Sequence, residues 1–279
     1  MHKSKIKPVL YSVLSFFLTL VLFLLSVFMV LKTTIFSKEY MYGVMNSSGY
    51  YAMVKTELIA ELQSLGKASG FDDEFSEKFV NSLDIQDSVE KYISSFYSGE
   101  STLVDTISFK QQLYKAIDQY IIDKNYSNVS NDSIDYFVNS AADIYINQIS
   151  IPFFSTIANY IYKASPYITI IILVLFAAAL AIMAIIFFTN KYRHRRFRYL
   201  CYGLSGACLT TVVIPCFVFL SGKIPQINIS TRSLYNLFVN YFNGLFMNFW
   251  IYVIITLIFA LFTLFFYIKY YKKACSQEA

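Results

Sequence analysis

The sequence predicts an all-α membrane protein: a four-helix transmembrane bundle with a helical extracytoplasmic domain inserted between spans 1 and 2. Three observations lead there. Of the 279 residues, 56% are hydrophobic and only 15% charged, against about 45–50% and about 25% in an ordinary soluble domain. With a mean hydropathy of +0.49, disorder, collagen, coiled coil and disulfide-rich secreted scaffolds are excluded. The apolar residues are gathered into four runs, 9–31, 167–189, 199–221 and 246–268, none holding Asp, Glu, Lys, Arg or His. Each meets the roughly 20 residues needed to cross about 30 Å of hydrocarbon. The third observation is that the charges lie between these runs in an uneven pattern.

Along the chain, residues 1–8 read as a cytoplasmic tail with Lys3, Lys5 and Lys7. The run 9–31 is too long for a signal-peptide core and has no small-x-small cleavage site, so it reads as an uncleaved signal anchor. The connection 190–198 reads as a basic cytoplasmic loop with Lys191, Arg193, Arg195, Arg196 and Arg198. The tail 269–279 adds Lys269, Lys272 and Lys273, and Glu278 is the one acid in all three cytoplasmic stretches. By contrast, 32–165 holds 17 of the 18 acids and 10 lysines. Lys and Arg mark cytoplasmic loops. Both termini are therefore expected in the cytoplasm, with 32–165 and the short loop 222–245 outside. Trp250 at the outer mouth of the fourth span and Tyr267, Tyr270 and Tyr271 at its inner end suit headgroup depth.

The outward segment has no cysteine; Cys201, Cys208 and Cys216 lie in the third span and Cys275 in the last tail. An unstapled outward domain and a composition rich in Ile, Asn, Lys, Phe and Tyr point to a bacterial plasma membrane. Sequons at Asn46, Asn125, Asn128, Asn131 and Asn228 all fall outside, where frequent Asn and Ser also generate them by chance.

Helix punctuation fills the outward segment. Val54, Leu58 and Leu62 recur along 50–65, with Gly66 as the expected stop. Asp72, Asp73 and Glu74 precede 75–83, where carboxylates favour the helix dipole. Asp84 caps 85–98 before Gly99. Phe109, Leu113, Ile117 and Ile121 mark one helical face. Residues 124–132 form the clearest loop, with Ser133 as the next cap. Ile134, Val138, Ala141 and Tyr145 follow on a further helix that Pro152 ends, and Pro166 is expected where the second span begins.

Each span offers one face of small or hydroxyl residues for close helix packing. These are Ser12, Thr19 and Ser26 with Ser15 in the first, and Ala177, Ala181 and Ala184 in the second. The third has Gly203 and Ala207, with Pro215 as a kink, and the fourth has Thr256, Ala260 and Thr263. A hydroxyl-lined pore is the weaker alternative, because no ionisable residue lies at membrane depth.

Catalytic signals are missing from the sequence. His2 and His194 are the only histidines and both are expected inside, so no outward histidine triad or His-ligated zinc site can form. Walker, dinucleotide and H-E-x-x-H motifs are absent. The Asp72, Asp73, Glu74, Glu77 cluster lacks calcium-loop spacing and reads as helix capping. No cofactor, metal or nucleic acid is implied. The Lys191, Arg193, Arg195, Arg196, Arg198 group suits either anionic headgroups or a cytoplasmic partner.

In topology alone, one span, a large outward segment and three further spans resemble FtsX and MacB-type ABC permeases, which transmit motion from a cytoplasmic ATPase. No motif is shared, and the short tail and short basic loop leave little room for a coupling helix. The sequence therefore predicts a non-enzymatic four-span protein whose outward domain binds a protein, peptide or envelope component. The alternative is a permease-like subunit of an ABC-type mechanotransmission complex.

Overall fold

The computed structural model describes residues 6–100, 104–126, 130–152, 154–229 and 231–276, apart from the side chains of Ile6 and Ser155. His2, Lys3, Lys5, Asn128 and Glu278 lie outside the described residues. Of the described residues 88% are helical, with no strand among them. In order the helices are α1 (Ile6–Thr33), α2 (Lys38–Ser47), α3 (Tyr50–Ser69), α4 (Asp73–Ser82) and α5 (Ile85–Ser98). They continue with α6 (Thr106–Asp123), α7 (Asn131–Ile149), α8 (Phe154–Thr189), α9 (Arg193–Ser221) and α10 (Arg232–Cys275), with a short 3-10 turn at Ile224–Gln226. Four of them are long and apolar enough to cross a membrane: α1, α8, α9 and α10.

Contacts divide the chain into two units. One comprises Met1–Ser37, Ala164–Ile227 and Tyr241–Ala279. Its tightest seam joins α1 to α9. Ser15 Oγ lies 2.9 Å from Tyr199 O, and Thr19 Oγ1 lies 3.0 Å from Gly203 O. Such short hydroxyl-to-backbone contacts require small residues opposite, and Gly203 and Gly206 supply them. A Cβ at Gly203 would come within 2.7 Å of Leu18, and one at Gly206 within 2.6 Å of the Thr19 hydroxyl. Leu18 is fully buried in a cluster with Ala179, Ile186, Tyr199 and Leu200. The partner seam joins α9 to α10, where the Cys208 and Cys201 thiols face the carbonyls of Val253 at 3.8 Å and Ala260 at 4.0 Å. Phe249, Val253, Thr256, Ala260 and Thr263, spaced by three and four, form the buried stripe of α10.

The other unit comprises Lys38–Lys163 and Asn228–Asn240. α3 runs through its core, burying Tyr50, Val54, Leu58, Leu62 and Gly66 at a strict interval of four. α5 buries Val89, Ile93 and Phe96, α6 buries Phe109, Leu113 and Ile117, and α7 buries Val138, Ala141, Tyr145 and Ile149. Burying each Val, Leu, Ile or Phe side chain among them contributes about 1.5–3 kcal/mol. Residues 228–240 join this unit because Glu57 accepts hydrogen bonds from the Ser233 N–H at 2.9 Å and its hydroxyl at 2.5 Å.

Several boundaries differ from the sequence reading. α3 passes through Gly66 and stops at Gly70, whose φ of 86° is the left-handed value a helix stop needs. Gly66 is instead where the chain returns close by, with Phe71 and Ser76 at 3.4 Å from a Cβ there. α7 starts at Asn131, so Ser133 lies within it rather than capping it. Pro166 sits inside α8, which begins at Phe154. Most of the basic segment is helical too: Arg193–Arg198 belong to α9, leaving only 190–192 as connection.

Gly203→Val is expected to destabilise the detergent-solubilised protein by about 1–3 kcal/mol, since buried Leu18 cannot yield. Gly43→Ala, on α2 with nothing within 4 Å, is expected to stabilise by about 0.5–1 kcal/mol. Thermal unfolding of both variants reads the difference, and a tolerated Gly203→Val would contradict the α1–α9 seam.

Candidate functional site

The acidic turn at 72–74 is the sequence feature that leads to a concave site. Asp72 caps α4, its Oδ1 accepting the Phe75 N–H at 2.8 Å. That fixes the direction in which α4 leaves, and residues three and four apart then share one face. Asp72, Glu74, Phe75, Lys78, Phe79 and Ser82 form one wall of a cleft of about 380 Å³. Ala116, Gln119, Tyr120, Asp123 and Lys124 on and just after α6 form the other. That volume lies within the roughly 300–1,000 Å³ of ligand pockets.

The cleft has an aromatic floor and a charged rim. Phe75 lies 4.9 Å from the Tyr120 ring and 4.8 Å from Phe71, which in turn lies 4.6 Å from Phe137. On the other side Phe79 meets Phe109 edge-on at 5.5 Å, and Phe109 stacks on Tyr145 at 4.2 Å. The floor is thus the outer end of a ring ladder that runs into the core, with Phe75 and Phe79 themselves largely buried. Offset and edge-on pairs contribute about 0.5–1.5 kcal/mol each beyond area burial.

On the rim, Lys124 pairs with Asp72 at 3.0 Å and lies 5.6 Å over the Tyr120 ring. The Lys124 hydrogen bond, with the Phe75 N–H, holds the Asp72 carboxyl below its ordinary value of 3.8. Burial pushes the Tyr120 phenol up. Gln119 donates to Asp123 at 2.8 Å. Glu74 and Lys78 form no ion pair among the described residues, so a charge of each sign faces the opening. Carboxylate, ammonium and ring faces together can hold a ligand with an apolar body and charged or hydrogen-bonding ends. Among the described residues no group of three or more His, Cys, Asp or Glu is placed to hold a metal.

The other sequence-derived residues lie elsewhere. Ser15 and Ser26 are buried, Thr19 is half-buried and Ser12 is exposed. Gly203, Ala207, Thr256, Ala260 and Thr263 are buried at helix seams. Ala177, Ala181 and Ala184 are exposed, whereas Ala158 and Ala179 of the same helix are buried. Of the basic group, Arg196 donates from Nε to Asn190 O at 2.7 Å and lies over Phe187. Arg198 donates to the Tyr199 hydroxyl at 2.9 Å. Lys191, Arg193 and Arg195 are exposed. Sequence reasoning missed Gly206 and every α6 residue of the cleft. The signal for the latter was Gln119, Tyr120 and Asp123 beside the apolar Phe109, Leu113, Ile117 stripe.

Among known proteins, no family model, no curated protein and no solved structure matches the chain.

Asp72→Ala removes cap and ion pair together and is expected to cost about 0.5–2 kcal/mol. Asp72→Asn keeps an acceptor for the cap and is expected to cost less, because an exposed ion pair contributes little. Since folding lowers the Asp72 pKa, its contribution is complete above 3.8 and disappears as pH falls below that value. Unfolding midpoints of wild type and Asp72→Asn measured down an acid series should therefore converge.

Proposed function

We propose that this chain is an integral membrane protein of the bacterial plasma membrane, with cytoplasmic termini and the Lys38–Lys163 unit outside. It acts without catalysis of its own, as an accessory, receptor or scaffold protein. Its outward unit binds a protein, peptide or envelope component. The observation that carries this reading is the α4–α6 cleft, the place where a helical core opens onto an aromatic floor with unpaired charges of both signs. A peptide suits such a floor, because one aromatic or aliphatic side chain covers Phe75 and Phe79 while its backbone and charges meet Gln119, Lys78 and Glu74. The orientation is supported by charge: the unit bearing the cleft carries 17 of the 18 acids, and the spans carry none.

Orientation is tested by labelling intact cells with a membrane-impermeant maleimide. Asp118→Cys, at an exposed position on α6, is expected to label, whereas exposed Cys275 is expected to react only after lysis. The reverse pattern would invert the topology.

For binding, a photocrosslinking residue at Gln119 is expected to trap one partner, repeatedly and in near-stoichiometric amount. The paired charge reversal of Lys78→Glu with Glu74→Lys should weaken that capture about tenfold or more without changing the thermal midpoint. Equal capture by the reversed rim would remove the cleft as the binding site.

A further inference from the structure

The basic group of α9 does not face solvent alone. Phe197 stacks on Phe266 at 5.3 Å and on Tyr270 at 5.6 Å, and His194 meets Tyr271 edge-on at 6.3 Å. Arg193 lies 5.9 Å over the Tyr270 ring. These contacts bring the first turns of α9 against the last turns of α10, where Lys269, Lys272 and Lys273 are exposed. The five cations of the α9 segment divide by what they touch. Arg196 is committed to the Asn190 carbonyl at the end of α8, and Arg198 to Tyr199. Lys191, Arg193 and Arg195 remain exposed, with no ion pair among the described residues.

Two features make this arrangement unstable by itself. Cations in the first turn of α9 sit at the positive end of the helix dipole, the unfavourable end for them. Among the described residues of the unit containing these helices no carboxylate neutralises them, and Glu278 is that unit's one acid in sequence. The missing charge is negative, and the aromatic residues around it are of the type that sits at headgroup depth.

We propose that the adjoining ends of α9 and α10 form a docking surface for the phosphates of anionic lipid headgroups. Lys191, Arg193, Arg195, Lys269, Lys272 and Lys273 hold the phosphates, and Arg196 positions the turn. This surface is independent of the cleft and rests only on these helices crossing a bilayer.

The test is electron paramagnetic resonance of spin-labelled lipids, with the full chain reconstituted in phosphatidylcholine. Spin-labelled phosphatidylglycerol should be motionally restricted in preference to spin-labelled phosphatidylcholine. Each cation removed should lower that preference by up to about fivefold. The preference should collapse in roughly 1 M salt, where the screening length is about 3 Å. Arg193→Gln with Arg195→Gln should weaken it, and adding Lys272→Gln and Lys273→Gln should abolish it. Arg196→Gln should lower the thermal midpoint and, by loosening the turn it positions, reduce the preference. Should the fourfold variant fail to reconstitute, the salt series on the wild type decides. Equal restriction of both lipids, or a preference that survives salt or the fourfold change, overturns the proposal. Displacement of the lipid by inorganic phosphate at matched ionic strength would mark a free-phosphate site and overturn it. A variant that keeps its lipid preference but loses a co-purifying cytoplasmic protein would overturn it in favour of protein docking.

Discussion

A backbone amide in hydrocarbon finds no water, so an apolar segment that crosses a bilayer has to close its hydrogen bonds within itself. On the reading proposed above, that α1, α8, α9 and α10 cross a bilayer as their length and composition allow, that constraint accounts for unbroken helices even where Pro166 and Pro215 remove a donor. It also dictates how the helices meet. Among lipid tails there is no hydrophobic gain in pairing two apolar helices, so close packing and polar contacts must supply it. The α1–α9 seam does both at one place. Gly203 and Gly206 let the backbones approach, and Ser15 and Thr19 hydroxyls reach carbonyls of the opposite helix. The α9–α10 seam repeats the scheme with thiols, whose weaker donors reach carbonyls at 3.8–4.0 Å.

Charge follows from the same constraint. Excluded from the spans, it gathers at their ends, and the two units divide it unequally. One holds 17 of the 18 acids together with 10 cations, and the other holds 13 cations with a single acid in sequence. The acids of the first unit are used locally: Asp72, Asp84 and Asp105 each cap the helix that follows them. A positive helix end matched to a carboxylate gains about 0.3–1 kcal/mol, and the same end matched to arginines loses a similar amount. The first turn of α9 therefore sets its charges against its helix dipole, as Lys7 of α1 and Arg232 of α10 also do.

How much of this was legible depended on whether a feature is local. Asp84 followed by an apolar interval of four and closed by Gly99 is a complete local statement, and α5 spans just those residues. Four charge-free runs of sufficient length likewise announce four long helices. Gly66 was misread because a glycine in an apolar face looks like a stop, although its lack of a Cβ serves the returning Phe71 and Ser76. The alanines of α8 show the limit of periodicity: 177, 181 and 184 share a face, but only tertiary packing selects Ala179 for burial. The cleft was legible by half. Its α4 wall coincides with the acidic turn, whereas its α6 wall lies some forty residues on in sequence. Nothing local says that Tyr120 meets Phe75.

Residues 228–240 show how one distant contact reassigns a segment. Read alone they are a short polar loop before an apolar run. Thr231 would be the obvious cap for α10, yet its hydroxyl is buried without a hydrogen-bond partner among the described residues. The donor it would have satisfied, the Ser233 N–H, is held instead by Glu57 from α3. A carboxylate is the stronger acceptor at a positive helix end, and here it also takes the Ser233 hydroxyl. The unpaired Thr231 hydroxyl costs about 1–3 kcal/mol, so the Glu57 contact has to outweigh it for the segment to stay. What it secures is positional: Asn236 then reaches Met53, Leu237 is buried, and the start of the longest helix is tied to the core helix of the same unit. A local capping signal was present and lost to a long-range one, because the competing acceptor carried a full negative charge.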